Sequence, residues 1–109
     1  MAVRAIVAAA LLLLVGACRT APEPVVHTVT IEGSAFSPAV VTAHVGDRVV
    51  WINKDFFPHT ATGPDGTFDS GLLSPDASWT LTIETRGTID YICTYHPTMH
   101  GTLQVEDAR

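Results

Sequence analysis

From Val25 onward the chain is cut into short runs of Val, Ile, Thr and aromatic residues by Gly, Pro and Asp, and no stretch keeps a helical period over three turns. That rhythm excludes a helical core and leaves an all-β domain. The runs lie at Val25 to Ile31, Val40 to Val45, Arg48 to Asn53, His59 to Thr62, Ser78 to Thr85, Thr88 to Cys93 and Thr102 to Val105. Tight turns are expected at Gly46-Asp47 and Arg86-Gly87, with a longer loop at Gly63-Pro64-Asp65-Gly66. Seven to eight such strands in about 85 residues suit a two-sheet Greek-key β-sandwich, with Trp51 and Trp79 in its core.

The first 17 residues fall outside that domain. Arg4 is a short basic start, Ala5 to Val15 an unbroken apolar run, and Gly16-Ala17 the small residues that precede a cleavage site. The run is too short to cross a bilayer, which takes roughly 20 apolar residues, so residues 1–17 read as an export signal. Val15-Gly16-Ala17-Cys18 resembles a bacterial lipobox, in which Cys18 would carry the lipid; ordinary cleavage near Ala17 or Ala21 is the alternative. Residues 18–24, rich in Pro and polar side chains, form a tether, and 25–109 the domain. The expected location is the periplasm or cell envelope, with a membrane contact through the lipid.

Without residues 1–17 there remain five Lys and Arg against eleven Asp and Glu, a formal charge of −6 with the signs scattered, so nucleic acid is not an expected partner. The chain has two cysteines, Cys18 and Cys93. In an oxidising compartment they either pair or hold separate jobs, and a lipid on one with a metal on the other accounts for both.

The chemistry concentrates in Cys93-Thr94-Tyr95-His96-Pro97-Thr98-Met99-His100-Gly101. A thiol, an imidazole and a thioether lie within seven residues, between strand-like segments. Copper cycling between Cu(I) and Cu(II) wants a thiolate, imidazoles tolerated by both states and a weak axial thioether. The second imidazole must come from elsewhere, and His59, just after Pro58 and 34 residues before Cys93, is the best candidate. Taken singly, Cys93 and Met99 read as core filler and the histidines as surface residues. Their joint spacing argues for a site. Zinc also accepts Cys and His, but Met99 argues against it. A catalytic Cys-His pair lacks a third orienting group, so the protein is not expected to be an enzyme. His27, His44 and His100 are expected to face solvent.

Val49-Val50-Trp51-Ile52-Asn53-Lys54, then Pro58-His59, then Gly87 through Gly101 resembles the plastocyanin-like cupredoxins, the amicyanins above all, whose compact ligand loop has two residues between Cys93 and His96 and two between His96 and Met99. The resemblance implies one type 1 copper ion held by His59, Cys93, His96 and Met99. It places Asn53, Thr94 and Pro97 around the ligands, with Asn53 tying the His59 loop to the Cys93 loop. It also implies outer-sphere electron transfer through the exposed edge of His96 to a transient redox partner, by a monomer. Tyr95 stands where amicyanins carry proline. A copper carrier or buffer without an electron-transfer role would use the same ligands. A multicopper oxidase fragment is disfavoured, since no His-x-His pair occurs.

Overall fold

The computed structural model describes residues 2–3, 9–12, 16 and 22–109. Cys18, most of the expected export signal and most of the tether lie outside the described residues. Seven strands fill the domain: β1 Val26–Glu32, β2 Ala35–Ser37, β3 Val40–His44, β4 Arg48–Asn53, β5 Ser78–Thr82, β6 Gly87–Cys93 and β7 His96–Glu106. They form two sheets, ordered β2-β1-β4-β5 and β3-β7-β6. The β1–β4 and β3–β7 pairs are parallel and the others antiparallel. The fold is thus the expected all-β, two-sheet sandwich.

The two-residue period of a strand explains both the core and the placement of the chemistry. On β4 the inward positions are Val49, Trp51 and Asn53; on β6 they end in Tyr91 and Cys93; on β7 they are Met99, Gly101, Leu103 and Val105. Fully buried Trp51 sits at the centre, 5.4 Å from the Tyr91 ring and 5.6 Å from those of Phe68 and Trp79. The rows that build this core deliver Asn53, Cys93 and Met99, all buried, to one end of the sandwich.

The opposite pole is closed by Asp47, 1% exposed in the β3–β4 turn. Its carboxylate accepts the Val25 N–H at 3.1 Å, the His44 N–H at 3.0 Å, His27 Nε2 at 2.9 Å and the Arg109 guanidinium. Arg109 is the largest cause, with His27 and the two backbone donors adding to it, of a carboxyl pKa far below the ordinary value despite the opposing effect of burial. His27 and His44, expected at the surface, are half-buried and face carboxylates, His44 meeting Glu106 at 3.2 Å.

The strand expectations change in four places: β2 is an unexpected addition, β5 stops at Thr82 rather than Thr85, and two segments near the site differ. His59 to Thr62 is not a strand but a pair of isolated bridging residues, His59 to Leu73 and Thr62 to Asp69 and Ile92. Between them the Thr60 N–H goes to Cys93 Sγ and the Ala61 N–H to Ser70 Oγ, so no ladder can propagate. The last strand, in contrast, starts six residues earlier than Thr102, at His96. The expected ligand loop therefore shrinks to the turn Thr94-Tyr95 inside a β6–β7 hairpin.

Candidate metal centre

Cys93 pairs with His96, but the preceding Ile92 pairs with His100. Pro97, Thr98 and Met99 are thus left without partners on β6, as a bulge in β7. A bulge re-aims side chains and absorbs the amide hydrogen that proline lacks. Here it leaves Pro97 exposed and turns Met99 inward at 4% exposure. His100 is exposed on the opposite face of the strand from Met99.

His59 reaches the same end by a different route. Asn53, the last residue of β4, is fully buried; its Nδ2 donates to the Phe57 carbonyl at 2.7 Å and the Leu73 carbonyl at 2.9 Å, while its Oδ1 accepts the Asp55 N–H at 2.9 Å. These bonds bend residues 54–58 into a loop that delivers His59, itself 0% exposed. The bridge to the Cys93 turn expected from Asn53 is made instead by Thr60. Thr60 N–H donates to Cys93 Sγ at 3.4 Å, and its Oγ1 accepts the Thr94 N–H at 2.9 Å and lies 3.2 Å from Thr94 Oγ1. Asn53 makes no bond to that turn because its amide is spent on the Phe57 and Leu73 carbonyls on either side of His59.

The donor atoms of His59, Cys93 and His96 all lie within 4.8 Å of one another. Cys93 Sγ is 3.7 Å from His59 Nδ1 and 3.9 Å from His96 Nδ1. Two donors bonded to one ion at about 2.0 Å (nitrogen) and 2.3 Å (sulfur) sit about 3.7 Å apart at a trigonal angle and about 3.5 Å at a tetrahedral one. The separations would therefore allow the two imidazoles and the Cys93 sulfur to hold a single ion. Cys93 is a free thiol, buried completely, and the Thr60 N–H aimed at its sulfur suits a thiolate. With Met99 buried at the same end, the donor set fits type 1 copper better than zinc.

The two imidazoles differ. His59 is sealed from solvent and its Nε2 lies 2.8 Å from Asp55 Oδ2. Asp55 in turn accepts the Gly33 N–H at 2.6 Å and the Ser34 N–H at 2.8 Å. Ser34 first, then Gly33 and His59, hold its carboxyl below the ordinary range against the effect of burial. His96 is exposed; its Nδ1 lies 3.9 Å from Cys93 Sγ and its ring 5.2 Å from that of His59. Exposed apolar side chains flank this end in the chain: Phe56, Phe57, Leu72 and Tyr95. Neither Asp55 nor Thr60 is among the site residues expected from the sequence. An acidic residue four before a ligand histidine was the available signal for the first; nothing in the sequence marks the second.

A two-sheet β-sandwich presenting one thiolate and two imidazole nitrogens to a single point at one end defines a mononuclear metal protein of the blue-copper type. The family model of the cupredoxin-like domain matches residues 5–105, and the chain belongs to that family. It is 31% identical to amicyanin of Paracoccus versutus over 83 residues, covering 72% of this chain and 63% of that one. It is 36% identical to amicyanin of Paracoccus denitrificans over 67 residues, covering 57% of this chain and 51% of that one. The chain thus spans between half and two thirds of the length of these relatives. A solved Cu(I) form of an amicyanin variant superposes with a TM-score of 0.71 at 29% identity, covering 74% of this chain and 82% of that chain.

Proposed function

We propose that this protein holds one copper ion through His59 Nδ1, Cys93 Sγ, His96 Nδ1 and Met99, and works as a one-electron carrier rather than an enzyme. The convergence of Sγ with two Nδ1 atoms carries the reading. Bound copper supplies a single electron by alternating between Cu(I) and Cu(II). The protein's part is to keep the donors in place whichever state is present. Asn53 and Asp55 brace the His59 loop, Thr60 ties that loop to the Cys93–Thr94 turn, and burial of His59 and Cys93 excludes water. His96 is the exposed ligand, so its outer edge is the shortest exit to a partner. Phe56 at 93% and Phe57 at 65% exposure, with Leu72 and Tyr95, supply apolar surface for a brief docking contact.

Copper carriage without electron transfer would use the same ligands, but an exchanging site is better served by exposed donors than by a buried histidine and thiolate. The proposed setting is the periplasm, following export directed by residues 1–17. Lipid at Cys18 is the proposed tether, and the domain is proposed to act as a monomer. Mass spectrometry of the membrane fraction, with Cys18→Ala as control, tests the anchor.

The deciding experiment is optical. Copper-loaded protein should show an intense visible thiolate-to-copper band that bleaches reversibly with one electron and is absent in Cys93→Ala. A colourless complex, or copper that passes to a competing chelator within seconds, would overturn the assignment.

A further inference from the structure

We infer that Asp55 is a positioning residue for the copper centre: its carboxylate, clamped by the Gly33 and Ser34 backbone N–H groups, holds His59 as the Nε2–H tautomer with Nδ1 turned to Cys93. The inference rests on the copper reading above and adds to it the residue that presets one ligand. Around the carboxylate stand two backbone donors and one imidazole nitrogen. Oδ1 takes the Gly33 N–H at 2.6 Å, and Oδ2 takes the Ser34 N–H and the His59 ring nitrogen, each at 2.8 Å. A backbone N–H cannot accept, so the carboxylate must face each of them as an acceptor.

The neutral imidazole has one donor and one acceptor nitrogen. With Nε2 donating to Asp55, the lone pair is left on Nδ1, the atom 3.7 Å from the thiol sulfur. The ring is thereby fixed before any metal arrives. A carboxylate behind a ligand histidine also increases the ring's basicity as a donor to the metal.

The clamp itself is built by an uncommon backbone. Gly33 and Ser34, at the β1–β2 turn, both have positive φ, +61° and +53°, which turns their successive N–H groups to one side. Asp55 N–H is held by Asn53 Oδ1, so the carboxylate is fixed from its own backbone as well. A surface hairpin between β1 and β2 is therefore linked to a buried ligand through one side chain that is only 12% exposed. His96 has no carboxylate partner among the described residues. The prediction is an asymmetric pair: His59 preset, His96 free to choose its tautomer.

An asparagine at position 55 keeps the size but turns one acceptor into a donor, which must then oppose either a turn N–H or the imidazole N–H. Glutamate keeps an acceptor-only group. The test uses the full chain, metal-free and loaded with Cu(I), which is diamagnetic, at about pH 8. Long-range proton–nitrogen NMR correlations report the tautomer of each histidine. Wild type should show His59 wholly as Nε2–H in both forms. Asp55→Asn and Asp55→Ala should show mixed His59 tautomers when metal-free, unchanged His96 signals, and copper affinity lowered about 10–100-fold in a chelator competition. Asp55→Glu should recover the wild-type tautomer. The inference is overturned if metal-free Asp55→Ala, with wild-type amide dispersion, still shows pure Nε2–H at His59, or if Asn does as well as Glu. Should no variant and no wild type bind copper, the copper reading fails while the metal-free tautomers still decide the role of Asp55.

Discussion

Replacing Thr60 with valine removes one oxygen atom from the centre of the site's scaffold while leaving the branched shape nearly unchanged. Thr60 is 4% exposed, and its Oγ1 serves the Thr94 N–H at 2.9 Å and the hydroxyls of Thr62 and Thr94 at 2.9 Å and 3.2 Å. Thr62 retains Asp69 as a partner at 3.2 Å, and the Thr94 side chain is exposed enough to find water. The loss that remains is chiefly the Thr94 N–H, in the turn that sets Cys93 against His96. A net hydrogen bond is worth about 0.5–1.5 kcal/mol, and a buried donor left unpaired costs about 1–3 kcal/mol. Because the Thr94 N–H is only part-buried, a destabilisation of about 0.5–1.5 kcal/mol is expected for Thr60→Val. In a domain of this size each kcal/mol lowers the melting temperature by about 4–8 °C, well within calorimetric range. Thr60→Ser keeps the hydroxyl and should recover most of the loss. The Thr60 N–H to Sγ bond belongs to the backbone and survives, so the visible thiolate band should persist while copper is released faster. If Thr60→Val melted within about 1 °C of wild type and kept copper equally well, Thr60 would not be the tie between the two ligand segments.

Three other perturbations probe different parts of the argument. A Cβ at Gly101 would lie 2.5 Å from both Cζ and Oη of Tyr91, so Gly101→Ala should cost about 1–3 kcal/mol by overpacking in urea titrations, and a neutral result would refute the tight packing of β7 on Tyr91. Asp47→Asn tests the far pole: because the Arg109 guanidinium, with His27 and the backbone donors, depresses the folded-state carboxyl, its stabilisation is complete above the unfolded value of about 4 and is lost as pH falls toward the depressed folded value. The stability gap between wild type and Asp47→Asn should thus narrow steadily as pH falls below about 4; a gap at about pH 3 no smaller than that at about pH 5 would contradict the assignment. Phe56→Ser with Phe57→Ser should leave unfolding within about 0.5 kcal/mol of wild type, as both rings are exposed, yet slow electron self-exchange between copper-loaded copies severalfold by NMR line broadening; unchanged exchange would remove these rings from the docking surface.

The strands at Val26–Glu32, Val40–His44 and Arg48–Asn53 were legible within a residue because each carries its own two-residue alternation, a property of local sequence. The His59 to Thr62 run has the same composition but spends its two middle backbone donors, of Thr60 and Ala61, on Cys93 Sγ and Ser70 Oγ, partners 33 and 9 residues away, and no local pattern reports that. The start of β7 was hidden for a related reason. Pro97 argues against a strand on its own terms, and only the β6 register, with its bulge at Pro97-Thr98-Met99, makes room for it.

The chain's own order of residues determined an all-β domain and a donor set of Cys93, His96 and Met99, since alternation and close spacing act over a few residues. Tertiary structure brings His59, the candidate already read from the sequence, beside Cys93 and His96, backs its ring with Asp55, and makes Thr60 rather than Asn53 the join between the two segments. The physical reason is that directed bonds between segments depend on strand register. Register is settled by the burial of whole faces, here β4 against β1 and β6 against β7, and no short stretch of residues contains that information.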